Sequence, residues 1–374
     1  MTKILFYFNT NSSFYTNLFT SIKKGFEENN CIVRGKPYLI SNDNLREEIM
    51  NFSPDFVLEI NRTKSEIEGF PKHVIHVSWI FDLWDSTPKN LYSDIIYTFG
   101  YDWLKIFPKS CAKYIACLPP ATDTDIFKPL NTKPHFDFSF FGHIPKPWNE
   151  QELNRVVGYR GKNPIYFKDI IKHIETALLS KFNPYLADDN LFSFESFQKK
   201  HQFEFSHNLT TELKYDITTR IFRQKNRLKF LSKISKTNKN ISIFGTNWEC
   251  YKNFSKYYKG YIESPSELNK AIQRSNIMLH DNHNLHFRIL DAMACGTPVT
   301  VTTPRAQGDN LERYGFFKNI HYLEVNLFED KIFTSPPKKQ LNAISLKAMR
   351  LVNKKHLWRH RAKKILSDVL KLEE

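Results

Sequence analysis

Cysteine is scarce in this chain. Its 374 residues include five, at positions 31, 111, 117, 250 and 295, an odd number scattered along the sequence. No pair has metal-type C-x-x-C spacing, and reduced thiols are the simplest account. Long apolar runs are missing as well. The N-terminal KILFYF gives way to polar NTNSS, with no long hydrophobic region and no cleavage-site pattern. It is expected to be the first buried strand of a cytoplasmic protein rather than a signal peptide or a membrane span. Internal repeats and low-complexity tracts are lacking, and no stripe of alternating Arg and aromatic residues marks a single-stranded nucleic-acid channel. Acidic residues are outnumbered: 39 Asp and Glu against 54 Lys and Arg leave a formal charge of +15. Such a field attracts phosphorylated small molecules, an anionic membrane surface, acidic polysaccharide or nucleic acid. A bias toward Lys and Asn codons produces the same excess, so charge alone does not choose a partner.

What is present reads as a globular protein of two domains, with 41% hydrophobic and 15% aromatic residues. Lys3 to Phe8, Ile32 to Pro37, Asp55 to Ile60, Val74 to Trp79, Ile95 to Phe99 and Tyr114 to Cys117 are short β-branched and aromatic runs. Amphipathic segments such as Tyr15 to Glu28 separate several of them. This is the pattern of a parallel α/β sheet. A polar turn, ATDTDIFKP, closes the unit, and a boundary is expected near Asn131. A second α/β unit starts with the strand Asp137 to Phe141 and stops at Gly142. The stretch from about 149 to 215 then breaks the rhythm and reads as a helical insertion. Ile221 to Ser235 is a helix carrying Arg223, Lys225 and Arg227; Ile241 to Phe244 is a strand, and a capping-box pattern at Ser264 and Glu267 opens another helix. From Ser345 to Leu372, Leu351, Trp358, Ala362, Ile365 and Val369 form one helical stripe. Lys354, Lys355, Arg359, Arg361, Lys363 and Lys364 lie on the other face, which is read as solvated or as a dock for an anionic surface.

The most informative segment is NLHFRILDAMACGTPV, residues 284 to 299. Backbone N–H groups of Leu285, His286, Phe287 and Arg288 fall in the first turn of a helix, where they and the helix dipole favour an anion. Arg288 offers a second cation for that anion, and Asp291, one turn on, can accept hydrogen bonds from two sugar hydroxyls. Ala292, Ala294 and Gly296 allow close helix-to-sheet packing. A phosphate pocket beside a diol acceptor describes a nucleoside diphosphate sugar; the plain alternative is an ordinary βαβ packing helix.

This helix resembles the donor-site helix of GT-B glycosyltransferases, and it is most similar to the spore-maturation-protein-like branch, with its H/M-x-R-x-x-E-x-x-A-C-G pattern. The order from Ile221 through the donor helix matches that branch. The resemblance implies two Rossmann-like domains facing a cleft: residues 1–130 for the acceptor and 131–350 for the donor, with the helical insertion in the second domain. It also implies that residues 351–374 return to the first domain as a helix. In family 4 relatives two Glu residues frame the helix; His283 and Asp291 stand at those positions. Asp291 keeps the ribose-binding carboxylate, whereas His283 occupies the other donor-side position without its charge. The resemblance further places a basic residue after the first long helix of this domain, for which Arg223, Lys225 and Arg227 are candidates, with Arg227 counted among the expected catalytic residues beside Asp82 and Arg288. It also brings Lys259 to Ile262, including Tyr261, to the nucleobase.

Gly142 and His143 are expected at the cleft because they end a strand at its C-terminal side. Gly245, Thr246, Asn247 and Trp248 end another, with Trp248 able to wall the base. On the acceptor side Trp79, Asp82 and Asp85 follow the fourth strand, and Asn11, Ser12, Glu59 and Asn61 follow the first and third. Asp82 resembles a family Asp in a W-x-x-D context and could orient or deprotonate an acceptor hydroxyl. Asp123-Thr-Asp125 formally matches a metal-binding D-x-D, but it lies in the linker turn, where Asp favours turns. No metal and no other cofactor is expected. These features predict transfer from a nucleotide sugar to a hydroxyl of a glycan, lipid-linked or protein acceptor, retaining configuration as family 4 resemblance implies. Two alternatives stand beside it: sugar transfer to a modified base in nucleic acid, as in phage-type DNA glycosyltransferases, and a non-catalytic nucleotide-sugar or polyanion binder.

Overall fold

The computed structural model describes the chain from residue 1 to 373, apart from residues 11, 83–90, 179–192, 207–208, 238 and 304–308. Six strands build the first sheet: β1 (Lys3–Tyr7), β2 (Ile32–Lys36), β3 (Phe56–Ile60), β4 (Ile75–Ile80), β5 (Ser93–Thr98) and β6 (Ala112–Cys117). All neighbours are parallel, in the order β2-β1-β3-β4-β5-β6. Strand ends agree with the sequence reading to within about two residues, the usual slack of strand boundaries. Alternation along the strands supplies both faces. Phe6, Leu58, Val77 and Trp79 pack under the helices Ser13–Glu27 and Trp358–Glu373, while Leu5, Tyr7 and Val57 pack against the helix Asn42–Phe52 on the other side. Side-chain oxygens of Ser12 and Ser41 cap the two N-terminal helices by accepting from Tyr15 N and Asn44 N.

One polar cluster is sealed into this domain. Glu59 and His76 are fully buried; His76 Nε2 lies 3.1 Å from Glu59 Oε2, its Nδ1 lies 3.1 Å from Ser93 Oγ, and Arg62 Nε donates to Glu59 at 2.8 Å. Burial alone would push the Glu59 carboxyl up, but His76 and Arg62 outweigh it and hold the group below the ordinary carboxylate range. A lowered folded-state value means that ionised Glu59 contributes stability above its unfolded pKa. That contribution is lost as pH falls through the folded value. Acid unfolding of the native protein should therefore be steeper than that of Glu59→Gln when melting temperature is followed from neutral pH to about pH 3; superimposable curves would remove Glu59 from the acid transition.

The second sheet begins with β7 (Phe136–Phe141). The insertion follows, and besides its helices Phe167–Leu178, Phe194–His201 and Thr211–Tyr215 it carries three antiparallel strands, β8 (Val156–Arg160), β9 (Asn163–Tyr166) and β10 (Glu204–Phe205). Its expected helical character is thus joined by a small sheet, which the alternating VVGYR and NPIY disguised because each run is only one turn-linked hairpin arm. The insertion has its own core around Phe167, Ile170, Phe197 and Ile217. A π-helical turn, Asp216–Arg220, leads from it into the helix Ile221–Ser235. Arg155 and Arg220 both pair with the buried Asp216, and Arg220 also pairs with Glu152 at 2.6 Å and stacks on Trp148 at 3.6 Å.

The sheet is completed by β11 (Ile241–Phe244), β12 (Ser275–His280), β13 (Val299–Thr302) and β14 (Leu323–Val325), all parallel in the order β11-β7-β12-β13-β14. At the capping-box site, Ser264 Oγ accepts from Glu267 N at 3.5 Å, but the Glu267 carboxylate turns to Lys270 instead of closing the box. In each sheet the chain changes direction of growth beside its first strand, at β1/β3 and at β7/β12. Open parallel sheets bind ligands outside the C-terminal ends of strands at such points.

The C-terminal stripe is divided between the domains. Helix Lys338–Lys355 packs on the second sheet's core, with Leu351 beside it. The chain breaks at His356 and Leu357, and helix Trp358–Glu373 places Trp358, Ala362, Ile365 and Val369 in the first domain's core. The crossing helix therefore starts at Trp358, seven residues after the expected 351. Arg361 is not on the solvated face. It is buried and donates to Pro119 O, Pro120 O and Lys355 O, satisfying linker carbonyls that the helix covers. Among the described residues no helix is long and apolar enough to cross a membrane.

Candidate donor and acceptor cleft

At the β7/β12 switch point the strand ends deliver a compact group. Gly142 and His143 follow β7, Gly245 and Thr246 follow β11, and Asp281 follows β12. The first two loops touch: Gly245 has φ +136°, and a Cβ there would lie 2.2 Å from Gly142 O, so both the backbone angle and the close approach require glycine. His143 Nδ1 accepts from Thr246 N at 3.0 Å and lies 2.9 Å from Thr246 Oγ1. With Nδ1 as acceptor, the ring carries its proton on Nε2. Helix Ile221–Ser235 aims Arg227 at this edge, where its Nε donates to Asp281 Oδ2 at 2.9 Å. Of its neighbours, Lys225 turns to Glu175 in the insertion at 2.5 Å, and Arg223 adds its charge to the field around His143 and His286.

The expected donor helix is Phe287–Ala294 and begins two residues later than Leu285, because His286 serves as its cap: the His286 Nδ1 accepts from Arg288 N at 3.2 Å. Among the described residues no acceptor meets the backbone N–H groups of Leu285, His286 and Phe287. Burial and the charges of Arg223, Arg227 and Arg288 lower the basicity of His143 and His286 alike, which keeps both rings neutral. His286 nonetheless keeps part of its surface open to solvent. Asp281 shows the same field from the other side: burial raises its carboxyl, but Arg227 overrides that and keeps it below the ordinary range. The Tyr261 ring lies 5.3 Å from that of His143, tilted by 39°, and lines a neighbouring cavity of about 540 Å³ with Phe244, Lys259, Ile262 and Glu263.

Asp291 sits one turn into the donor helix and is only 5% exposed. Thr122 Oγ1, from the interdomain linker, donates to its Oδ1 at 2.7 Å, and Arg288 Nη1 lies 3.3 Å from Oδ2. Burial pushes its pKa up to about 7 despite Arg288.

Across the cleft, Asn61 follows β3 with φ +59° and organises the facing edge of the first domain: its Oδ1 accepts from Phe81 N at 2.6 Å and from Asp82 N at 3.1 Å. The Asp82 carboxylate accepts from Tyr15 OH at 3.2 Å and Asn61 Nδ2 at 3.4 Å. Burial and Asp82 together push the Tyr15 hydroxyl up to about 12, so it stays a donor. The domains meet beside this acid, where the ring of Phe287 contacts Phe81 at 6.0 Å.

Several expected site residues lie elsewhere. Trp79 is fully buried and donates from Nε1 to Leu118 O at 3.0 Å; strand alternation turns it into the core with Val77 and away from any acceptor. Trp248 is likewise a core residue, packed on Phe140 and Phe254 with Nε1 bonded to Gly142 O at 2.7 Å, and it does not wall the base. Asn247 Nδ2 is spent on Ile144 O at 2.8 Å. Leu285 buries its side chain and leaves only backbone for a ligand. His283 is buried, accepts from Leu311 N at 3.3 Å and meets Tyr322 OH at 3.1 Å; burial lowers its pKa to about 4, so it is a neutral brace beneath the loop. Glu59 belongs to the sealed cluster described above. Asn11 and Asp85 lie outside the described residues. Asp123 and Asp125 act as a turn: Asp123 accepts from Asp125 N at 2.9 Å and from Ser21 Oγ at 3.0 Å, and Lys24 pairs with Asp125. Three members of the site went unnamed in the sequence, one of them Tyr15, which was read only as part of an amphipathic helix. Asp281 could have been found, since it ends a strand as Gly142 does; Thr122 carries no local signal.

Residues 223–367 match the model of a family described as glycosyl transferase-like. No curated protein matches the chain by sequence. Two solved structures share the fold along its whole length. One is a glycosyltransferase from Rickettsia africae ESF-5, 10% identical, covering 100% of this chain and 99% of its own with a TM-score of 0.52. The other is AviGT4, a glycosyltransferase involved in avilamycin A biosynthesis, 9% identical, covering 100% and 98% with a TM-score of 0.51. The architecture is thus α/β with two parallel sheets in the GT-B arrangement, and its second half carries the glycosyl transferase-like segment.

Proposed function

We propose that this protein is a glycosyltransferase that moves a sugar from a nucleoside diphosphate sugar to a hydroxyl of a glycan, lipid-linked or protein acceptor. The observation that carries this reading is the basic edge at the switch point of the second sheet, where Arg227, held by Asp281, and Arg223 and Arg288 bring positive charge to bear on His286, the cap of the donor helix. When the glycosidic bond breaks, negative charge grows on the departing diphosphate. Guanidinium groups and free backbone N–H groups already fixed in place stabilise it without reorganising. That supply of positive charge supports a metal-independent reaction.

Around this centre, Tyr261 and its cavity offer room for the base, and Asp291 is the candidate acceptor for the ribose hydroxyls. On the opposite wall Asp82, held by Tyr15 and Asn61, orients the acceptor hydroxyl. In a retaining course the acceptor oxygen bonds to the anomeric carbon as the phosphate oxygen leaves, and the acceptor proton passes to that phosphate; the family 4 resemblance supports this course. The donor-helix pattern ending in Ala294, Cys295 and Gly296 supports placement in the spore-maturation-like branch.

A thermal-shift panel of UDP, GDP, dTDP and ADP tests the reading. A ligand at about 100 times its Kd adds about 2.7 kcal/mol to the folded state, a rise of several degrees for a protein of this size. One nucleotide is expected to give that rise in the native protein and none in Asp291→Ala. The rise should also grow as pH increases past about 7, where Asp291 ionises and becomes a full acceptor. A flat response to every nucleotide would sink the transferase reading.

A further inference from the structure

We infer that Phe287 is a positioning residue: its ring, seated in an aromatic pocket of the first domain, ties closure of the two domains to placement of the anion-binding turn. The inference rests on the donor reading above. Phe287 is the first residue of the donor helix, between the capping His286 and Arg288, and its own N–H is one of the free donors. Its side chain, however, leaves the second domain. It packs against the core of the first, 5.3 Å from Phe99, 5.8 Å from Phe14, 6.0 Å from Phe81 and 6.1 Å from Trp358 between ring centroids.

Position on the helix makes this contact specific. Residues four apart share a face, so Phe287 and Asp291 both turn toward the first domain. There Phe287 meets rings while Asp291 meets Thr122 Oγ1. Separating the domains would expose the Phe287 ring to water and free the end of the helix from its outer support. The pocket is also wired to the acceptor edge: Phe81 precedes Asp82, and Phe14 precedes Tyr15, which donates to Asp82. One ring therefore links the turn that would hold the diphosphate with the acid that would hold the acceptor.

The test uses the whole chain, X-ray scattering for the separation of the domains, and calorimetric titration with inorganic pyrophosphate, which carries the two phosphates without base or sugar. Phe287→Ala should remain folded by circular dichroism, show a larger radius of gyration than the native protein, and bind pyrophosphate about tenfold more weakly. Phe287→Leu, which keeps apolar bulk, should fall between the two in both readings. A residue that merely filled a core would lower melting temperature without changing the separation of the domains. Unchanged scattering from Phe287→Ala overturns the positioning role itself. Failure of the native protein to bind pyrophosphate instead defeats the coupling to an anion, together with the donor reading on which it rests.

Discussion

Replacement of Arg227 by methionine is expected to lower sugar transfer by roughly 10²- to 10³-fold, the usual cost of losing one fixed group aimed at developing negative charge. The guanidinium is held at the cleft edge by Asp281 at 2.9 Å, and its position at the β7/β12 switch point places it beside the open end of the donor helix. The substitution has a second consequence. Arg227 is foremost among the groups that keep Asp281 ionised against its burial, so removing the cation leaves a poorly solvated carboxylate, at a cost of about 2–3 kcal/mol in stability. The two effects can be separated. In Arg227→Met with Asp281→Asn, stability should return close to native while turnover stays low, because the amide needs no cation and the leaving group still does. Turnover of Arg227→Met within about threefold of native would show that Arg227 serves the fold alone.

The largest effect on stability is expected at Gly25. Helix Ser13–Glu27 crosses helix Trp358–Glu373 there at backbone distance: a Cβ would lie 2.7 Å from the Trp358 carbonyl carbon and 2.9 Å from Arg359 N. Glycine inside a helix ordinarily costs about 1 kcal/mol relative to alanine, so helix propensity alone predicts that a substitution stabilises. Contact between two backbones decides the sign, since neither can move aside as a side chain would. Gly25→Val should destabilise by about 3 kcal/mol or more and Gly25→Ala by less, measured by urea unfolding. Displacing Trp358 also removes one wall of the pocket that receives Phe287. A Gly25→Val protein as stable as the native one would show that the C-terminal helix does not dock as described.

Much of the architecture was legible from short-range rules. Residues with branched or aromatic side chains in short runs, broken by polar turns, located the strands, and the Ser264–Glu267 pattern marked one helix start, whereas the caps at Ser12, Ser41 and His286 emerged only in the structure. Strand-end logic also led to Gly142, His143, Gly245 and Asp82. The same rules misplaced Trp79 and Trp248, because a Trp near a strand end can face a cleft or a core and only the layer packed above it decides. They could not anticipate Thr122 against Asp291, 169 residues apart, nor Arg361 beneath the linker. The amino-acid order by itself determined the two parallel sheets, the break between them and an anion-ready helix, since backbone propensity, side-chain alternation and capping act over a few neighbouring residues. Only the tertiary structure decided which polar groups face the cleft and which domain receives Phe287, because burial and partner are set by surfaces that meet only once both domains have packed.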